Sequence, residues 1–96
     1  MYIVTSDGKQ IVSSEYVERF LIVDKPDAKL IVASYSDQRP AVTLGRYAND
    51  KESQGAFGQL LSALAGGQSM FYMPDSILYH GEKIIKDART KRKGGS

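Results

Sequence analysis

Short apolar runs separated by turn residues fill the first half of the chain. The runs cover residues 2–4, 11–12, 17–23, 30–35 and 41–47, and the breaks between them are rich in Asp, Gly, Pro and Ser. This pattern is typical of β-strands joined by tight turns, and it predicts about five strands in an antiparallel β-meander. The first turn contains Asp7-Gly8, which predicts a type I′ hairpin loop because both central residues of that loop need positive φ.

A helical periodicity replaces the strand pattern after Tyr47. Asn49 and Glu52 have the spacing of a capping box, and Gly66 and Gly67 predict where the helix ends. Between these signals, apolar residues recur three and four positions apart at Ala56, Phe57, Leu60, Leu61 and Leu64. We expect an amphipathic helix that packs on the meander through this stripe.

Gly55 and Gly58 lie in the interior of the predicted helix, where each costs about 1 kcal/mol relative to alanine. Two explanations are open. The missing side chains could let the helix backbone approach the sheet closely, over Ala33 or Gly45. Alternatively, the helix tolerates the two glycines and is slightly frayed.

The central strands are apolar on both of their faces. In the run from residue 30 to 35, Leu30 and Val32 alternate with Ile31, Ala33 and Tyr35. A single antiparallel sheet with one solvated face should alternate more cleanly. The pattern therefore predicts either a sheet that curls towards a partial barrel or a sheet face that meets another subunit.

The fold class that these patterns predict is α+β. We expect one domain over residues 1–88, with the β-meander, the amphipathic helix packed on it and a short returning strand. Residues 77–88 fit either a helix or, around His80 and Gly81, a turn. Residues 89–96 are expected to form a basic, disordered tail, because they contain no apolar residue that could join a core.

Positive charge is concentrated near the end of the chain. Residues 1–85 carry eight Lys or Arg and ten Asp or Glu, whereas residues 86–93 carry five basic residues and one acidic residue. The basic set comprises Lys86, Arg89, Lys91, Arg92 and Lys93. Clustered cations of this kind can bind nucleic acid weakly and without sequence preference, or they can simply keep the chain soluble.

The chain contains few residues that could support catalysis. The chain has no cysteine and one histidine, His80, which has no nucleophile or metal ligand at a suitable spacing. We therefore predict no enzyme activity, no cofactor and no metal site. No charged leader precedes a long apolar run, so we expect a cytoplasmic protein with no membrane association.

Several local sequences resemble those of small uncharacterised proteins encoded by bacteriophages and prophages of Gram-positive bacteria. They are Glu15-Tyr16-Val17, Leu44-Gly45-Arg46-Tyr47, Phe71-Tyr72-Met73-Pro74 and the segment from Asp87 to Gly95. The resemblance spans nearly the whole chain. It implies a phage-related origin in a host cell and carries no catalytic residues.

A protein-interaction or assembly module is the function that these observations favour, with tail-mediated nucleic-acid binding as the alternative. Residues 2–4 and 70–73 are candidate edge strands that could pair with another chain. Met70, Phe71, Tyr72 and Met73 have the large, adaptable side chains that are enriched at interfaces, and we predict them as interaction residues. The expected partner is a second copy of the chain or a host or phage protein.

Overall fold

Residues 1–76 are described by a computed structural model of the chain. In chain order the elements are β1 (Tyr2–Val4), β2 (Ile11–Ser13), a short 3-10 helix (Ser14–Tyr16), β3 (Arg19–Asp24), β4 (Lys29–Ser34), β5 (Val42–Tyr47), α1 (Asp50–Ala65) and β6 (Met70–Tyr72). The predicted α+β class is confirmed. The predictions for residues 77–88 and for the tail over residues 89–96 lie outside the described residues.

The strands form two three-stranded sheets. β3, β4 and β5 make an antiparallel meander, whereas β1 pairs antiparallel with β2 and parallel with β6. All five strands predicted before the helix are present, but the meander contains only three of them. The 3-10 helix redirects the chain after the first hairpin, and the free side of β1 is taken by the returning strand β6, so β1 is a central strand and not an edge.

The turn of the first hairpin differs from the predicted type I′ loop. Gly8 has a φ of +72°, but none of the described residues other than glycine has a positive φ. Asp7 therefore has a negative φ, which a type I′ loop does not allow. The loop is longer, and Thr5 closes it by donating its N–H to the carbonyl of Gln10 at 3.0 Å. Asp7 stabilises this loop by accepting hydrogen bonds from the Thr5 hydroxyl at 2.6 Å and from the Lys9 N–H at 2.9 Å.

A β-bulge in β5 joins the two sheets. Ile31 of β4 is opposite Gly45 and Val32 is opposite Thr43, which leaves Leu44 as the extra residue. The Leu44 side chain is buried, and its carbonyl accepts a hydrogen bond of 2.8 Å from the N–H of Ser6 in the first hairpin loop. The bulge therefore supplies both a core side chain and a hydrogen bond between the sheets.

Helix α1 begins after the predicted cap residue, Asn49, although Glu52 reaches back one residue further than in the predicted capping box. The N–H of Glu52 donates to Asn49 Oδ1 at 2.9 Å, and Glu52 Oε1 accepts from the N–H of Ala48 at 3.1 Å. The helix ends before Gly66, and Gly67 has a φ of +68°. Both ends of the helix are thus fixed by residues that the sequence identifies.

The buried side of α1 is narrower than the predicted stripe. Its buried residues are Ser53, Ala56, Leu60 and Ala63, with Phe57 and Leu64 partly buried beside them. Leu61 is 51% exposed, so its assignment to the buried stripe is wrong. A β-carbon at Gly55 or Gly58 would meet no atom within 4 Å, so the proposed close approach of these glycines to the sheet is also wrong.

The core lies between the helix and the inner faces of both sheets. Its buried residues are Ile3, Val12, Ile31, Ala33, Leu44, Tyr47, Ala56, Leu60 and Met73. Phe20 and Ile22 of β3 pack against this cluster. Leu21, Val23 and Val32 lie on the opposite face of the meander and are partly buried. Both faces of the meander are therefore apolar, as predicted. However, four of the large apolar or aromatic side chains that are most exposed in the described chain lie on the β2-β1-β6 sheet.

Candidate protein-interaction face

The sheet formed by β2, β1 and β6 has one face in the core and one face in solvent. Ile3 and Val12 are opposite each other and buried, and Phe71 is aligned with Ile3 and packs against the core. Side chains of neighbouring residues alternate across a sheet, so the remaining positions point away from the core. We call this surface the outer face, and it comprises Tyr2, Val4, Ile11, Ser13, Met70 and Tyr72.

The strand register groups the outer face into two rows. Tyr2 lies between Ser13 and Met70, and Val4 lies between Ile11 and Tyr72. Adjacent strands are about 4.8 Å apart, so the side chains within each row are in reach of one another. The outer face is therefore a continuous surface built from three strands that are distant in sequence.

Four of these six side chains are large, apolar or aromatic, and exposed. Tyr2 is 56% exposed, Ile11 64%, Met70 42% and Tyr72 68%. No residue of the outer face carries a charge. Scattered exposed apolar residues are ordinary in monomeric proteins, but a contiguous set without charges is typical of an interaction site.

The predicted interaction residues divide between this face and the core. Met70 and Tyr72 lie on the outer face, whereas Phe71 is partly buried and Met73 is only 5% exposed. The alternation along β6 causes this division, and it leaves Met70 and Tyr72 as the two that another chain can contact. Phe71 and Met73 belong to the core of this chain.

Comparisons with known proteins give no match to a family model, a curated protein or a solved structure. The candidate function therefore depends on the geometry of the chain itself.

Sequence reasoning did not predict four residues of the outer face as interaction residues, although it predicted residues 2–4 as an edge strand. The four are Tyr2, Val4, Ile11 and Ser13. A signal for them exists, because Tyr2-Ile3-Val4 is apolar at both alternating positions and so must present apolar side chains on both faces of a strand. What the sequence does not reveal is the parallel pairing of β1 with β6, which places these residues beside Met70 and Tyr72.

The predicted nucleic-acid-binding residues cannot be placed. Lys86, Arg89, Lys91, Arg92 and Lys93 lie outside the described residues, as does His80. Binding of nucleic acid by the basic segment therefore stays a prediction from the sequence.

Tyr47 is a buried residue whose titration is strongly perturbed. Its hydroxyl donates a hydrogen bond of 2.7 Å to the carbonyl of Pro74. Burial raises the pKa of Tyr47 well above its ordinary value of 10.0, and the nearby carboxylates of Asp75 and Glu52 act in the same direction. The phenol thus stays protonated near neutral pH and serves as a hydrogen-bond donor within the fold.

Lys29 and Arg39, whose pKa values are raised, form ion pairs at the surface. Lys29 Nζ lies 3.2 Å from a carboxylate oxygen of Asp24 and 3.6 Å from one of Asp50, and the hydrogen bond to Asp24 is the main reason that the pKa of Lys29 is raised. Arg39 pairs with Asp37 at 2.9 Å, and its guanidinium lies 4.2 Å from the centre of the Tyr35 ring. These contacts join neighbouring strands and turns, and they have the geometry of exposed ion pairs, which contribute little to stability.

A groove with a volume of about 420 Å³ follows the first turns of α1. Its lining includes Tyr47, Asn49, Glu52 and Asp75. The Asn49 and Glu52 side chains cap the helix, and the Tyr47 hydroxyl is bonded to Pro74, so these polar groups already serve the fold. The groove therefore gives weaker support for a functional site than the outer face does.

The described residues contain neither a metal-binding cluster nor a membrane-spanning helix. Over residues 1–76, no three or more His, Cys, Asp or Glu side chains are grouped so that they could hold a metal ion. In the same part of the chain, no helix has the length and apolar character needed to cross a membrane.

Proposed function

We propose that this protein is a non-catalytic interaction or assembly module that binds another protein through the outer face. The observation that supports this proposal is the side-by-side exposure of Tyr2, Ile11, Met70 and Tyr72 on one sheet. In this proposal the module acts in the cytoplasm of a host cell, in the bacteriophage or prophage setting that the sequence resemblance implies.

The chemistry of the outer face favours a protein partner with an apolar, uncharged surface. Burying apolar area contributes about 25 cal/mol per Å², and no charged group on this face would have to be desolvated. Tyrosine and methionine are enriched at interfaces because they combine large contact area with adaptable packing. The hydroxyl groups of Tyr2 and Tyr72 can remain at the solvated rim of such a contact.

Site-specific photo-crosslinking tests this proposal. The photoreactive residue benzoylphenylalanine is introduced at position 2 or 72 of the full chain, and the protein is irradiated in its native host. We expect a covalent adduct of one defined mass from both positions, because both lie on the same face.

Position 61 supplies the matched control. Leu61 is exposed to a similar extent, at 51%, but lies on α1 rather than on the outer face. Adducts of the same mass and yield from position 61, or no protein adduct from positions 2 and 72, would contradict the proposal.

A further inference from the structure

Strand β6 has an outer edge that no described strand covers. Within residues 1–76 it pairs only with β1, through hydrogen bonds that include Tyr2 N–H to Ser69 O at 2.9 Å and Met73 N–H to Val4 O at 3.0 Å. In a parallel ladder, backbone groups of alternate residues point to the same neighbour. Ser69, Phe71 and Met73 therefore face β1, and the N–H and C=O groups of Met70 and Tyr72 point away from it.

The other sheet edges are protected in ways that β6 is not. β3 has charged residues at both ends, Arg19 and Asp24. β5 is interrupted by the bulge at Leu44, whose carbonyl is already bonded to Ser6. Charges and bulges are the common devices that prevent strands from pairing with other chains.

β6 carries neither device. No residue between Ser53 and Pro74 is charged, and the register of β6 with β1 is regular. β2, the other edge strand of this sheet, is equally short. However, the charged residue Lys9 precedes it, and Glu15 follows it in the 3-10 helix. Among the edges of the described part of the chain, β6 is thus the most suitable for pairing with another strand.

We propose that the occupant of this edge is β6 of a second copy of the chain, paired antiparallel about a two-fold axis at Phe71. This inference goes beyond the proposed function, because pairing at the edge of β6 leaves the outer face open to another partner. The outward backbone groups of Met70 meet those of the partner's Tyr72, and the reverse pair forms by symmetry. Four N–H···O bonds then join two three-stranded sheets into one of six strands.

The side chains of the two copies are complementary in this arrangement. Each Met70 lies directly opposite the partner's Tyr72 on the outer face, where a thioether sulfur makes a favourable contact with an aromatic ring. No like charges meet across the axis, because β6 has none. The outer faces of the two copies also become continuous, which extends the apolar surface beyond what one copy presents.

Cysteine crosslinking tests both the pairing and its register. The chain contains no cysteine, so Met70→Cys and Tyr72→Cys each introduce a single thiol. In the proposed pairing, positions 70 and 72 are opposite each other with Cα atoms about 5.5 Å apart, whereas identical positions are diagonal and about 7–8 Å apart. Disulfides need a Cα separation below about 7 Å. We expect oxidation to give a covalent dimer in a mixture of the two variants and not in either variant alone.

Analytical ultracentrifugation of the full chain gives an independent measurement. The wild-type chain is expected to be a dimer. Met70→Lys is expected to be a monomer, because a lysine on an edge strand is a common device that prevents pairing with another strand. Leu61→Lys introduces the same charge at an exposed site on α1 and should leave the dimer intact.

A monomeric wild-type chain, or crosslinking that is equal in the single variants and in the mixture, would overturn this inference. Neither result would overturn the proposed function, since the photo-crosslinks from positions 2 and 72 could still identify a different protein.

Discussion

The ring of Tyr47 lies over the Cα of Gly45, two residues earlier on β5, in the space that a side chain at position 45 would fill. A β-carbon at Gly45 would be 2.7 Å from Tyr47 Cε2 and 2.8 Å from Cζ. The ring cannot easily move aside, because Tyr47 is 1% exposed and its hydroxyl is bonded to Pro74. Position 45 therefore requires glycine for reasons of space, in the middle of a strand where glycine is otherwise unfavourable.

Replacing Gly45 should therefore destabilise the fold. For Gly45→Ala we expect a loss of about 1–3 kcal/mol in the free energy of unfolding, the usual cost of overpacking a core. Urea unfolding followed by circular dichroism measures this loss. An unchanged midpoint would mean that the Tyr47 ring can adopt another position at little cost.

The two helix glycines should respond in the opposite direction. No atom lies within 4 Å of a β-carbon at Gly55 or Gly58, and both residues are exposed. Gly55→Ala and Gly58→Ala should each stabilise the protein by up to about 1 kcal/mol, because alanine has the higher helix propensity and restricts the unfolded chain. For a domain of this size, that gain raises the melting temperature by about 4–8 °C. A fall in melting temperature for either variant would show that its β-carbon meets something within the folded chain.

Features that depend on neighbouring residues could be predicted from the sequence. The helix cap is one example, since Asn49 and Glu52 are three residues apart and form their hydrogen bonds within one turn. The strands of the meander are another, because each is bounded by turn residues such as Lys25-Pro26-Asp27. Local chemistry decides these elements, so local sequence is enough to find them.

Features that depend on distant pairing could not be predicted. The parallel pairing of β1 with β6 joins the two ends of the described chain, and no residue in Tyr2–Val4 indicates that partner. The bulge at Leu44 is similar, since it places both Leu44 and Gly45 in buried positions and breaks the alternation on which strand patterns depend. The outer face results from this distant pairing, which is why only Met70 and Tyr72 of its residues were identified as interaction residues in advance.

Asp7 should make the first hairpin sensitive to acid. Hydrogen bonds from the Thr5 hydroxyl and the Lys9 N–H lower the pKa of Asp7 below its ordinary value of 3.8. The ionised carboxylate therefore stabilises the folded chain above pH 3.8, and this contribution is lost as the pH falls through the lower pKa of the folded state. In Asp7→Asn, whose side chain cannot ionise, the stability difference from wild type should shrink as the pH is lowered through this range.

Chemical denaturation at a series of acidic pH values measures this difference. Asp27→Asn, in the turn between β3 and β4, controls for the removal of one surface carboxylate. A stability difference for Asp7→Asn that is the same at every pH would contradict the hydrogen-bonded role of the Asp7 carboxylate.

Tyr47 should make the fold sensitive to alkali. Below pH 10.0, the ordinary pKa of tyrosine, Tyr47→Phe should be less stable than wild type by about 1–3 kcal/mol, because the Pro74 carbonyl loses its donor in a partly buried site. Burial raises the pKa of Tyr47 in the folded chain, so ionisation above pH 10.0 favours the unfolded state. The stability that the neutral phenol contributes is therefore lost as the pH rises towards the pKa of the folded state.

The difference between wild type and Tyr47→Phe should consequently narrow as the pH rises above 10.0, since phenylalanine has no proton to lose. Unfolding in urea from about pH 8 to pH 11 measures this trend. Tyr16→Phe is the matched control for the loss of one tyrosine hydroxyl, because Tyr16 is 63% exposed. If the stability difference between wild type and Tyr47→Phe stays constant over this range, the phenol ionises as easily in the folded chain as in the unfolded chain. That result would contradict the buried position of Tyr47 between Gly45 and Pro74.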